Sequence, residues 1–557
     1  MAKFSLLFLA SLAAAKAPVV DLGYTKYEGR SLANGVSQWL GIRYAAPPLN
    51  ELRFAAPQDP LAQKGVQQAT QHKKTVDLIT CRKMLTVADL QHGALCVPVA
   101  SSLNQSVPEG TSEDCLFLDV YAPTEALANG KKLPVYFFIQ GGGFASLSNN
   151  NYNGSGLIKA SDSNIVVVNF NYRVGPFGFL ASEEVAKGGS LNNGLKDQIK
   201  ALQWVKKHIG KFGGNPDHVV IGGDSAGGGA VTLLLSAYGG RDDKLFVGAA
   251  AESQSFANML DVKESQFVFD RLASRTGCDK SADSFACLRK LPIGTLQAQN
   301  IVSPYPGAPG NPLYLYGPTV DGDLVPDYTL KLFNQGKFIK VPVIFGDATN
   351  EGTVFVPKST NNVSAADDFL KSQFNTITDC QLAKINSLYL TENQTRQFPD
   401  AGIYWRPASN AYGDLRYTCP GVDLSSVYEK AGVPSWNYHY DVKDPKSEAS
   451  GDGVTHTVEI NAIWGPENVH GGAPASYSGV NANIVPVMQG YWTSFVRALN
   501  PNTHRYHGTP EWKTWGKGEE AYRRIYIRTN QTHMETVPQV ERERCAYLLS
   551  LGEHLRQ

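Results

Sequence analysis

Ser225 stands in Gly223-Asp224-Ser225-Ala226-Gly227, a match to G-x-S-x-G. A serine hydroxyl is a weak nucleophile at its free pKa, so it does chemistry only where the chain lifts it clear and a base lies beside it. Glycine and serine are common, and the pattern alone is a loose signal. The flanks sharpen it. His218 to Gly222 (HVVIG) reads as a short buried strand running in, and Ala226 onward (AGGGAVTLLLSAYGG) reads as a helix running out. Strand, tight turn and helix are the setting that exposes a nucleophilic serine at the top of a sheet. Gly223 and Gly227 leave room for crossing backbone. The positive end of the helix favours anionic character near Ser225. A glycine-rich helix start with a capping serine is the competing explanation.

The elements that must hold such a serine are legible around it. Leu133 to Gln140 (LPVYFFIQ) is a short apolar run stopped by three glycines, and Asn164 to Tyr172 (NIVVVNFNY) is β-branched. Phe246 to Glu252 and Val341 to Gly346 are further strand candidates. Asn193 to Phe212 places Leu195, Ile199, Leu202, Val205 and Ile209 at helical spacing. Buried strands alternating with helices predict an α/β fold: a large, mostly parallel central sheet with helices on both faces. In such sheets the reactive groups gather at the carboxyl ends of the strands.

The N-terminus reads as a signal peptide over residues 1–15. Lys3 precedes an apolar run from Phe4 to Ala15, ending in Ala13-Ala14-Ala15, with cleavage expected between 15 and 17. Residues 16–557 read as one domain, without repeats or long linkers. No later stretch is apolar for the roughly 20 residues of a membrane span. Lys+Arg and Asp+Glu both number 51, so bulk charge draws the chain neither to nucleic acid nor to an anionic membrane. The cysteine count of 8 is even, which suits disulfides in an exported protein. No Cys/His cluster has zinc spacing. Asn-x-Ser/Thr sequons begin at Asn104, Asn153, Asn362, Asn393 and Asn530, candidate glycosylation sites on surface loops.

Several motifs in order resemble the type-B carboxylesterase/lipase family, which includes the cholinesterases. They are Gly41-Ile42-Arg43-Tyr44-Ala45-Ala46-Pro47-Pro48 with Leu52-Arg53-Phe54, then Ser112-Glu113-Asp114-Cys115-Leu116, then Gly141-Gly142-Gly143-Phe144. Asn171-Tyr172-Arg173-Val174 and Gly194-Leu195-Lys196-Asp197-Gln198 also fit. The overall character is most similar to secreted fungal esterases. The resemblance covers the chain from about Val20 to its end and implies an α/β-hydrolase fold.

The resemblance also implies roles. Glu351, within Phe345 to Gly352, falls on the segment of the triad acid, with Asp347 as the rival. His456, within Gly453 to Ile460, falls on the segment of the base. The order Ser, Glu, His is that of the fold. Backbone N–H groups of Gly142, Gly143 and Ala226 are the implied oxyanion donors. Acyl transfer of this kind needs neither cofactor nor metal. Gln140 stands where many relatives carry His, Tyr or Phe, and either tunes the alcohol pocket or is held by local hydrogen bonds. Arg53 with Glu113 and Arg173 with Asp197 are implied as buried ion pairs outside the site. Asp224 and Glu459 are candidates to surround the triad.

Cys278 and Cys287 are implied as a disulfide, and Cys115 pairs upstream with Cys96 or with Cys81. Cys96 is favoured because Ala94-Leu95-Cys96 has the more family-like context. The loop so closed is polar and without an apolar stripe, a poor interfacial lid. A secreted serine hydrolase of soluble, short- to medium-chain esters is therefore expected. A lipase or sterol esterase with a longer acyl tunnel is the first alternative. A non-catalytic, cholinesterase-like binding protein is the second. The partner is a small-molecule ester, and the oligomeric state is open.

Overall fold

The computed structural model describes residues 17–72, 93–147, 152–391, 397–469 and 472–557. The expected signal peptide, Cys81 and Asn393 lie outside them. The backbone of the fold is an eleven-stranded sheet. In chain order its strands are β1 (Arg30–Ser31), β2 (Val36–Arg43), β3 (Phe117–Pro123), β4 (Leu133–Ile139), β5 (Val166–Phe170) and β6 (Gly214–Asp224). They continue with β7 (Gly248–Glu252), β8 (Val343–Ala348), β9 (Ser435–Tyr440), β10 (Arg523–Ile527) and β11 (His533–Thr536). The spatial order is β11-β10-β9-β8-β7-β6-β4-β5-β3-β2-β1. Strands from β5 through β4, β6, β7, β8 and β9 to β10 run parallel, and both margins are antiparallel.

Successive strand residues point to opposite faces, and here both faces are buried. On β4, Val135, Phe137 and Ile139 join one core, with Val219 and Ile221 of β6. Tyr136 and Phe138 join the core on the other face, with Val220 of β6 and Ile344 of β8. That two-sided burial explains why these strands read as continuous apolar runs rather than as alternating ones. Helix α1 (Asn193–His208) covers the first face through Leu195, Leu202 and Val205, and a short 3-10 turn, Ile209–Phe212, follows it. Strand β6 is longer than HVVIG suggests, because Gly214 already pairs with Leu133 before a register shift leads to Val219. Helix α2 (Ala226–Ser236) follows β6 directly. Among the described residues no helix is long and apolar enough to cross a membrane.

Covalent and ionic ties brace the frame. Cys96 is bonded to Cys115, Cys278 to Cys287, and Cys419 to Cys545. Arg53 meets Glu113 through two 2.6 Å hydrogen bonds, and Arg173 meets Asp197 at 2.8 and 2.7 Å. A third buried pair, Arg43 with Asp114 at 2.5 and 2.9 Å, joins β2 to the second motif. Sequons Asn104, Asn362 and Asn530 are exposed, whereas Asn153 is half-buried.

Candidate active site

Four neighbouring parallel strands deliver the site from their carboxyl ends. Strand β4 ends at Ile139 and runs into Gly141-Gly142-Gly143; β6 ends at Asp224, next to Ser225; β7 ends at Glu252, next to Ser253; β8 ends at Ala348, just before Glu351. Ser225 has φ 56° and ψ −122°, a left-handed conformation that a non-glycine residue holds only when its surroundings enforce it. Its N–H donates to Glu252 O at 2.9 Å, which pins the elbow to the next strand. The backbone crossing is close: a Cβ on Gly227 would fall 1.9 Å from Ile139 O. Any side chain there would push β4 away from α2.

His456 bridges the two other expected residues. Its Nε2 lies 2.8 Å from Ser225 Oγ, and its Nδ1 meets Glu351 Oε2. A carboxylate only accepts, so Nδ1 carries the proton and Nε2 faces the serine hydroxyl as an acceptor. The Tyr417 ring, at 4.5 Å between centroids, and the Phe355 ring, at 5.0 Å, pack on the imidazole. Asn350 holds the two segments together. Its N–H donates to Val454 O, and its Oδ1 accepts from Val454 N at 2.9 Å.

Asp347, the rival acid, is not on the histidine. It is buried in β8 and accepts from Thr418 Oγ1 at 3.1 Å. Burial, and then the charge of Glu351, hold its carboxyl well above the usual range. Glu351 is completed by Ser253, which sequence reasoning missed. Ser253 Oγ and Ala348 N each donate to Glu351 Oε1 at 2.7 Å. No local motif marks Ser253; its signal is only that it directly follows a strand beside β6.

Glu459 and Asp224 both lie beside this group. Glu459 Oε1 accepts from Tyr438 Oη at 2.7 Å and from Ser253 Oγ at 3.4 Å. Burial, reinforced by the nearby Glu351 charge, pushes Glu459 up to about 8. Asp224 Oδ1 accepts from Gly141 N at 2.8 Å, tying the glycine loop to the elbow, and burial pushes its carboxyl up to about 6. Glu252, also buried, accepts from Trp492 Nε1 at 3.1 Å and Tyr136 Oη at 3.2 Å.

The glycine loop lies against Ser225. A Cβ on Gly141 would sit 2.8 Å from Ser225 Cβ. Gly142 and Gly143 have φ +108° and +65°, conformations that favour glycine. Among the described residues, none accepts a hydrogen bond from either N–H. Ala226 opens α2, where the first N–H groups have no partner within the helix. Gln140 is buried, with Nε2 donating to Phe170 O at 2.8 Å and its main-chain O accepting from Tyr172 Oη at 2.8 Å. Local hydrogen bonds hold Gln140 in place.

A mixed sheet of this order, with an elbow serine, a histidine and an acid at its strand ends, is an α/β-hydrolase. The chain belongs to the carboxylesterase family, whose family profile matches residues 16–547, and it is a carboxylic ester hydrolase. It is 29% identical to secreted lipase 4 of Gibberella zeae over 93% of this chain and 89% of that protein. It is 30% identical to human neuroligin-2 over 93% of this chain and 66% of that protein. The crystal structure of Aspergillus niger EstA superimposes with a TM-score of 0.88 at 42% identity, covering 97% of this chain and 99% of that one.

Proposed function

We propose that the protein is a secreted serine esterase that forms an acyl-enzyme on Ser225. The observation that carries this is the single imidazole of His456 touching both Ser225 Oγ and the Glu351 carboxylate. His456 Nε2 takes the serine proton as Oγ attacks the ester carbonyl. Glu351 keeps the proton on Nδ1 and stabilises the imidazolium that forms. The N–H groups of Gly142, Gly143 and Ala226 receive the oxyanion. Losing one such donor typically raises the barrier by about 3–4 kcal/mol. His456 then protonates the departing alcohol, and water attacks the acyl-enzyme with the same base.

Short- to medium-chain soluble esters are the proposed substrates. The loop between Cys96 and Cys115 supports this, because it is tied to the body: Val99 N donates to Ala145 O, Ala100 N to Asn300 O and Asn104 N to Ala298 O. A loop so anchored is a poor interfacial lid. The likeness to secreted lipase 4 favours the first alternative, a lipase. Export after cleavage between residues 15 and 17, folding of 16–557 as one domain and glycosylation at the sequons complete the proposal.

A fluorophosphonate probe tests the mechanism. Labelling of wild type and none of Ser225→Ala is expected. Undiminished labelling of the variant overturns it. A marked jump in rate above the solubility limit of a triglyceride overturns the substrate range in favour of a lipase.

A further inference from the structure

Among the described residues, five arginines are exposed by 7% or less: Arg43, Arg53, Arg173, Arg416 and Arg524. Four of them face carboxylates, Arg524 meeting both Glu535 and Glu541. Arg416 differs. Its Nε donates to Ser255 Oγ and its Nη1 to Tyr412 Oη, both at 2.9 Å, and no described residue accepts from its Nη2 or forms an ion pair with it. The rings of Tyr314, Tyr412 and Tyr417 lie 5.4, 5.8 and 5.8 Å from its guanidinium carbon. Those distances are near the limit of about 6 Å for cation–π attraction, which is then too weak to offset burial of an unpaired ion.

Arg416 belongs to a π-helical turn, Asp414–Thr418, a rare geometry often found at functional sites. It helps to wall a cavity of about 40 Å³, with Gly143, Phe144, Leu260, Tyr314 and Tyr316 among the other walls. No carboxylate lines this cavity. Tyr316, also buried, lines it too, and its Oη has no hydrogen-bond partner among the described residues. The cavity adjoins the reacting centre. The Tyr314 ring lies over Gly143, where an added Cβ would fall 2.1 Å from its Cε1. Ser255, which holds Arg416 Nε, donates its own N–H to Ser225 O at 3.3 Å.

We propose that Arg416 binds a carboxylate carried by the ester substrate, in the cavity beside Gly143. This rests on Ser225 being the acylated nucleophile. A guanidinium grips a carboxylate through paired N–H bonds, which satisfies the open donors and the charge together. A water needs roughly 10–15 Å³ of such space, so the cavity admits a carboxylate. Phe144 and Leu260 offer apolar walls to the carbon chain that leads to it.

Two pairs of esters test the site and tell the acyl side from the alcohol side. The acyl pair is the p-nitrophenyl monoester of glutaric acid against p-nitrophenyl pentanoate. The alcohol pair is meta-acetoxybenzoate against meta-acetoxybenzamide. On one pair, the charged-to-neutral ratio of kcat/KM is expected to fall about 10- to 100-fold in Arg416→Gln, the span of a charge-assisted hydrogen bond. Arg416→Lys is expected to recover part of it. Equal ratios in wild type and Arg416→Gln on both pairs overturn the site. If Arg416→Gln does not fold, wild type decides alone: a preference for the neutral ester on both pairs overturns it. Labelled Ser225 without any Arg416-dependent ratio sinks the carboxylate site only, whereas unlabelled Ser225 sinks the acyl-enzyme as well.

Discussion

Ser253 Oγ donates a 2.7 Å hydrogen bond to Glu351 Oε1, the carboxylate whose other oxygen holds His456. The serine reaches it from the end of β7, one strand from the elbow, and also lies 3.4 Å from Glu459. The acid of the site is thus fixed from two strands at once. Ser253→Ala removes that fixing bond without touching Ser225. A charge-assisted hydrogen bond is worth about 1.5–3 kcal/mol. The expected result is a fall in kcat of about 10- to 100-fold with KM little changed, read from steady-state kinetics on a p-nitrophenyl ester.

Ser225→Ala should remove the oxygen proposed to accept the acyl group and leave the fold intact. The expected loss in kcat/KM is roughly 10⁴- to 10⁶-fold, by comparison with serine knockouts in other triads. A variant that keeps more than a hundredth of the activity would place the nucleophile elsewhere.

Glu459 offers a test through pH. Burial, and then the Glu351 charge, push it up to about 8, above its value in the unfolded chain. Between the ordinary carboxylate range and about pH 8 the folded state therefore binds more protons than the unfolded state. Stability falls as pH rises through that window. Glu459→Gln cannot ionise and still offers an oxygen to Tyr438. Its unfolding midpoint should gain on that of wild type as pH is raised from about 5 to about 8. A difference that stays constant across the window would contradict the assignment.

Asp197→Ala leaves Arg173 buried with no carboxylate partner. Arg173 is 2% exposed and Asp197 0%, so solvent cannot relieve the charge. Breaking such a pair costs about 3–5 kcal/mol. The urea midpoint should drop accordingly, and a loss below about 1 kcal/mol would mean that the frame relaxes around Arg173.

Gly227→Ala tests the elbow packing. The added methyl meets Ile139 O at 1.9 Å, so β4 and α2 must separate. Overpacking of this kind costs about 1–3 kcal/mol or more. The loss in stability should come with a loss of fluorophosphonate labelling, because Ser225 shares the turn.

Local features of the chain were enough to mark the central strands β4 to β8, the helices α1 and α2 and the elbow itself. Buried strands need apolar runs, and a tight strand-to-helix turn needs small residues around the serine; both constraints act between near neighbours. The resemblance supplied Glu351 and His456, which no spacing rule links. His456 is 105 residues from Glu351 and 231 from Ser225. Tertiary structure decided what depends on sheet order. It brought Ser253 to Glu351, turned Asp347 toward Thr418, paired Cys419 with Cys545, and buried Arg416 away from every described carboxylate. Contacts between separate strand ends follow from which strands pair, and pairing is a property of the whole sheet rather than of any segment.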